Sequence, residues 1–449
     1  AISAASCARF ESTAVVLRTR ELIRNLLQLS LLGVLVGVAC WPFNMLDRWQ
    51  DQLLGLLPAF SGEGWTPTSL ALACSPLVVV PILLLLQRGI WARGAGSGIP
   101  QTMTSIEHPA QASALLGWAP SLQRLALWGI ASLALIPIGR EGPVVQVGAS
   151  AAHFLRRRFP NWFYGLGQAE LLAVAGGAGL AGGFDTPLLG VVFVVEEFIS
   201  AFSSTLIWPA LVVSGMAASF SNLAGQPMFA LGTVGVEPME LLQVLWALPV
   251  GLLGGLVGAA FARLLLAGTR RGVALARRFP IRLGLGVGAF LSLFLLVSGG
   301  TGGGDGELLM GRLLFGSADG VELPHGLWTD LLTLLLRIIG PVLALSTGIP
   351  GGLIDPSFTF GAAMGQVIAD LAGSPQLFLA LGMVAGLSGA TQLPVMSILF
   401  GIRLAGDQQL LPGLLVACVL AAYVSRQFVA KPIYHALHAL SGEATKTSP

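Results

Sequence analysis

Charge is scarce in this chain. Asp, Glu, Lys and Arg make up only 10% of its 449 residues, while 54% are hydrophobic; soluble domains carry roughly 25% charged residues. So few charges cannot cover so much apolar surface in water, which excludes a soluble globular protein and leaves a polytopic membrane protein. The net charge of +2 argues against nucleic acid as a partner. Cysteine is also rare: Cys7, Cys40, Cys74 and Cys418 show no metal spacing, so neither a disulfide framework nor a zinc site is indicated. No metal and no cofactor is expected. The first residues carry four arginines and lack signal-peptide order, so residues 1–25 read as a cytoplasmic segment. Only fifteen residues follow Tyr434, so a chain of prokaryotic type without a nucleotide-binding regulatory module is expected.

Glycine and proline are plentiful, at 59 and 26 residues. Apolar segments lie near 26–44, 68–87, 122–138, 143–155, 171–195, 205–224, 240–268, 282–299, 329–346, 357–372, 377–400 and 410–424. Many are cut by Gly-Pro or Gly-Gly clusters, and several fall short of the ~20 residues of a perpendicular span. Interrupted helices survive in a bilayer only where their free backbone lines a cavity or is buried in protein. That pattern belongs to transport proteins.

The chain also repeats itself. Leu31–Ala39 matches Leu252–Ala260 at seven of nine positions, Gly139-xxx-Pro143 recurs as Gly352-xxx-Pro356, and Ala178–Phe193 aligns with Ala385–Phe400. The offsets of 221, 213 and 207 run in one order, as a diverged duplication requires. Arginines precede the first copy (Arg18, Arg20, Arg24) and follow the second (Arg263, Arg270, Arg271, Arg277, Arg278, Arg282). If both clusters are cytoplasmic, matching segments cross in opposite directions. The expected organisation is a first membrane repeat over 26–225, a linker over 226–239, a second repeat over 240–424, and a helix end with a short cytoplasmic tail over 425–449.

Inverted repeats place a substrate site where broken helices of the two halves meet, which selects 139–143 and 352–356. Each puts glycine before a helix-like run with proline in its first turn, where the missing N–H costs nothing. The free amides and positive dipole end of such helices bind anions. Glu141 lies in the first stretch, within an apolar surround. An acid at membrane depth costs a few kcal/mol or more and marks a functional site by default; the bland alternative is an ion pair with Arg140. Gly96-Ser97-Gly98-Ile99-Pro100 is a third loop of this kind, with a hydroxyl at Ser97.

Together, GSGIP at 96–100, GREGP at 139–143, GGLIDP at 351–356, KPIY at 431–434 and the run FDTPLLGVVFVVEE at 184–197 resemble the CLC family of chloride channels and transporters, over roughly residues 26–437. The resemblance implies an all-α polytopic fold with an inverted-topology repeat and many tilted, broken helices, assembled as a homodimer. It implies that Glu141 is the outer gate and external proton site, and that Glu197 is the internal proton site, with Glu196 structural. Ser97 and Tyr434 would supply inner hydroxyls to a chloride ion, and Gly142, Leu353 and Ile354 would supply backbone amides. The expected function is Cl−/H+ exchange across a bacterial plasma membrane, both termini cytoplasmic.

Three departures bear on the site. Ile354 stands where an aromatic is common in the family, Asp355 where a small apolar residue is usual, and Asp185 where Asn is commoner. Asp355 is expected to be turned away as a helix cap or protonated, and Asp185 to be a local cap. Ser97 favours chloride over nitrate and speaks against the fluoride-exporting branch. A passive chloride channel on the same scaffold is the alternative; the presence of both Glu141 and Glu197 favours exchange. A more distant alternative is an intramembrane hydrolase pairing Ser97 with His108 or His153, which requires a base within about 3 Å of the hydroxyl.

Overall fold

The computed structural model describes residues 4–199, 204–224, 241–316, 320–405 and 410–446, with side chains over 20–199, 205–223, 243–316, 320–403 and 410–440. The linker expected at 226–239 and the tail beyond 446 lie outside the described residues. The principal helices of the first part are α1 (Ala4–Leu54), α2 (Pro67–Arg88), α3 (Ile99–Glu107), α4 (Trp118–Leu133), α5 (Glu141–Arg158), α6 (Gln168–Phe184), α7 (Pro187–Phe193) and α8 (Ser204–Ser221). Those of the second are α9 (Ala247–Arg278), α10 (Pro280–Val297), α11 (Glu307–Phe315), α12 (Leu327–Ser346), α13 (Ile354–Ala372), α14 (Pro375–Thr391), α15 (Pro394–Ala405), α16 (Leu411–Phe428) and α17 (Ile433–Lys446). Among the described residues the only β pairing is an isolated bridge.

Among the described residues, six helical stretches are long and apolar enough to cross a membrane: Arg20–Leu54, Pro67–Arg88, Gln243–Arg278, Pro280–Val297, Leu327–Ser346 and Leu411–Leu440. They expose many large apolar side chains, among them Leu27, Val78, Phe290 and Val419. Such faces suit hydrocarbon rather than water. By contrast α6 and α14 are buried almost throughout. Both are rich in Gly and Ala, so neighbouring backbones can approach closely without a hydrophobic driving force. The repeated LLGxLVGxA segments use the same device. A Cβ added at Gly33 or Gly37 of α1 would meet the carbonyl oxygens of Val213 and Ala217 in α8 at 2.7 and 2.5 Å. One added at Gly251 or Gly255 of α9 would meet those of Ala417 and Ala421 in α16 at 2.9 and 2.8 Å.

Two segments that read as continuous apolar runs are broken. The run 171–195 divides into α6 and α7 at Asp185, and 377–400 divides into α14 and α15 at Gln392. Both residues take left-handed backbone conformations, with φ of 49° and 62°, and a proline two positions on starts the next helix. Asp185 is therefore the residue that closes α6. Its side chain accepts from Asn222 Nδ2 at 2.6 Å and faces Arg403 Nη2 at 3.6 Å, instead of capping α7. The breaks fall at the repeat's own offset of 207.

Helix starts bring the two parts together. Gly139 and Gly352 pair in an antiparallel bridge, with Gly139 N–H donating to Gly352 O at 3.1 Å and Gly352 N–H donating to Gly139 O at 2.7 Å. These reciprocal bonds set α5 and α13 side by side at their first turns. Trp128 Nε1 also donates to Gly139 O, at 3.0 Å, and ties α4 to the junction.

Candidate functional site

Glu141 is the first residue of α5 and is fully buried. Its Oε1 accepts from the Asp355 amide in the first turn of α13 at 2.5 Å, and its Oε2 is buried without a hydrogen-bond partner. The carboxylate of one half thus lies on the helix start of the other, where amides and dipole favour negative charge. The amide engaged is one residue beyond the expected Leu353 and Ile354. Both of those are buried around the same helix start.

The glycines of the motifs make the space. A Cβ at Gly352 would fall on the Glu141 carboxylate, and one at Gly139 would lie 2.5 Å from both its oxygens. Neither glycine has a positive φ, so close approach is the reason for their identity. A Cβ at Gly142 would collide with the Ser97 hydroxyl, so the GSGIP loop rests directly on the first turn of α5. Ser97 Oγ and Tyr434 Oη are each buried without a hydrogen-bond partner. Tyr434 shares one buried cluster with Ile99, Leu353 and Ile354. Its ring meets Phe193 at 6.3 Å between centroids. Ser97, Gly142, Glu141, Leu353, Ile354 and Tyr434 therefore belong to one buried region built from α3, α5, α13 and α17.

Arg140 does not pair with Glu141. Its guanidinium bonds the Asp47 carboxylate and Glu307 Oε1, the latter at 2.6 Å, and lies 4.8 Å from the Phe184 ring centroid. All three charged side chains are buried. These partners are 93 and 167 residues away, so nothing in the local sequence announced them. Asp355 is buried too, and it is not turned away: its Oδ2 faces the Arg140 amide at 3.4 Å.

Glu197 stands apart, on a π-helical turn spanning Val194–Ile199. Such turns recur at functional sites because they re-aim side chains. Neither of its carboxylate oxygens has a hydrogen-bond partner, although the residue is fully buried. His435 Nε2, which is charged only when protonated, lies 3.7 Å from Oε1 on a side chain 36% exposed. Sequence reasoning missed His435; its position directly after Tyr434 was the available signal. Glu196 behaves differently. Its two oxygens accept from Val395 N and Met396 N at 3.1 and 2.9 Å, which caps the start of α15. The hydrolase arrangement is not formed: Ser97 Oγ has no hydrogen-bond partner, and His153 Nε2 instead meets Ser113 Oγ at 3.2 Å.

A buried carboxylate resting on a helix-start amide, enclosed by apolar spans, defines a membrane transport protein for small ions. The family profile described as voltage gated chloride channel matches residues 77–426, and the chain belongs to that family as an integral membrane protein. The chain is 26% identical to the H+/Cl− exchange transporter ClcA of Salmonella paratyphi A over 93% of its own length and 91% of the relative's. The corresponding ClcA of Salmonella arizonae is also 26% identical, over 95% and 93%. A slow cyanobacterial Cl−/H+ antiporter of known structure has the same fold, with TM-score 0.75, 24% identity, and coverage of 94% of this chain and 99% of that one. A CLC-type fluoride/proton antiporter gives TM-score 0.71 at 25% identity, covering 91% and 96%.

Proposed function

We propose that this protein exchanges chloride for protons across the membrane, with Glu141 as both gate and external proton carrier. The observation that carries this reading is the Glu141 carboxylate on the Asp355 amide, at a helix start that suits an anion. An ionised Glu141 holds the place that chloride would take. Protonation removes its charge, weakens its hold on the amide and lets chloride in. Opposed helix starts attract an anion without a full positive charge, so binding stays weak enough for release.

Ser97 and Tyr434 present hydroxyls free of protein partners and serve as chloride donors from the inner side. The amides at Gly142, Leu353 and Ile354 line the same region. Glu197, buried and with both oxygens free of hydrogen bonds, is the inner proton site. Residues 26–225 and 240–424 act as two inverted repeats joined by 226–239, with 1–25 and 425–449 on the cytoplasmic side. The working form is a homodimer in the lipid bilayer of a bacterial plasma membrane. Hydroxyl and amide donors suit chloride, and Ser97 favours it over nitrate and fluoride.

Reconstituted Glu141→Gln tests the reading. Chloride flux should persist while coupled proton movement stops. Proton uptake that continues in this variant would remove Glu141 from the proton route.

A further inference from the structure

Six acids crowd the helix junction: Glu141, Asp355, Glu307, Asp305, Asp47 and Asp51. Their exposures run from 0 to 7%. Two buried cations, Arg140 and Arg337, stand against them. Arg337 directs its donors to backbone, bonding the carbonyls of Thr301, Gly303 and Gly304 at 2.6, 2.7 and 2.9 Å. Arg140 alone bonds carboxylates directly. Full ionisation would leave four uncompensated charges in an apolar interior, each costing several kcal/mol, so the cluster holds protons.

The contacts say where. Glu141 Oε1 takes the Asp355 amide, which sets both carboxylates at one helix start, and a Cβ at Gly139 would lie 2.5 Å from both Glu141 oxygens and 2.8 Å from Asp355 Oδ2. Like charges this close cannot both ionise cheaply, which favours a proton on one of them. Asp355 Oδ1, Asp47 Oδ1, Glu307 Oε2 and both oxygens of Asp51 are buried with no partner. Asp47, Asp305 and Glu307 offer oxygens within 4.8 Å of one another. A metal ion is disfavoured there because the Arg140 guanidinium already sits on Asp47 and Glu307. The charged groups that act on Asp355 are Glu141, Arg140, Glu307 and Asp305, from α5, the start of α11 and the loop before it. Thr359 Oγ1 bridges the segments, donating to the Asp355 carbonyl at 2.7 Å and the Asp305 carbonyl at 3.2 Å.

We propose that Asp355 is a second proton-carrying acid of this chain, which takes the proton from Glu141 and passes it through Asp305 and Asp47 toward Asp51. The inference rests on the exchange reading above and gives the outer proton route its residues. In the first step the proton bound to a Glu141 oxygen moves to the Asp355 carboxylate. Glu141 becomes ionised and Asp355 neutral, with total charge unchanged. The ionised Glu141 then holds the anion place while the proton leaves through the cluster. Asp47 and Asp51 lie on the last turns of α1. With the chain's start in the cytoplasm, that end faces outward.

The test is Asp355→Asn in reconstituted vesicles, with chloride and proton fluxes recorded together across a series of external pH values. Proton movement should slow about tenfold or more relative to chloride flux, as expected for loss of a positioned proton carrier. Its dependence on external pH should change, and Asp355→Glu should restore both. Should Asp355→Asn give no chloride-conducting protein, Asp51→Asn carries the test at the outer end of the cluster. Proton movement that slows while chloride flux continues supports the route. A variant with the parent's proton rate and external pH profile overturns the relay and leaves exchange intact. A parent protein that moves no protons overturns exchange itself.

Discussion

Gly352→Ala is the smallest change that should open the gate. Gly352 has no positive φ, so alanine can keep its backbone and both bridge hydrogen bonds to Gly139. The new methyl group, however, falls on the Glu141 carboxylate. The carboxylate must then give up its 2.5 Å bond to the Asp355 amide. A hydrogen bond to a charged group is worth roughly 1.5–3 kcal/mol. At about 1.4 kcal/mol per factor of ten, Glu141 should leave its place roughly 10- to 100-fold more readily. Overpacking also costs about 1–3 kcal/mol of stability, a loss that thermal unfolding in detergent measures separately. The functional assay is chloride efflux from vesicles at alkaline pH, where an ionised gate is normally closed. Efflux should rise and the number of protons moved per chloride should fall. Unchanged efflux and coupling in a folded variant would refute the claim that this glycine exists to admit the gate.

The other expectations follow from single contacts. Glu197→Gln should leave chloride flux but reduce coupled proton movement at least tenfold, the usual scale for removing a positioned proton carrier; simultaneous pH and chloride electrodes record it. Tyr434→Phe removes a hydroxyl that has no protein partner, so unfolding temperature should barely move. Chloride binding by calorimetry should weaken by about 1–2 kcal/mol for the lost donor. Glu196→Gln should do the reverse. It weakens the cap on α15 and costs about 1 kcal/mol of stability, while proton coupling measured in vesicles stays at the parent value.

The repeat was the most legible part of the fold. Matching segments pointed to paired helix starts at 139–143 and 352–356, and those starts meet in the Gly139–Gly352 bridge. The turn at Asp185 was legible through the family resemblance, but the break at Gln392 was hidden because one left-handed residue does not lower the hydropathy of a long apolar run. At the site, Glu141 stood out through cost alone: an acid in an apolar surround. That the carboxylate rests on the Asp355 amide was not legible, since helix phase at a first turn is not fixed by composition. Asp47, Asp51, Asp305 and Glu307 drew no attention because each sits far along the chain from Arg140 and Asp355. Only folding makes them neighbours. His435 was passed over because its only signal was adjacency to Tyr434, and its proximity to Glu197 depends on packing between α17 and the π turn.

The most direct measurement of the central claim is the reversal potential of the reconstituted protein under opposing chloride and pH gradients. Coupled exchange through Glu141 predicts a potential displaced from the chloride equilibrium value by the pH gradient, and a return to that value in Glu141→Gln. A parent protein that reverses at the chloride equilibrium potential, whatever the pH gradient, would contradict exchange and make the same pathway a chloride channel.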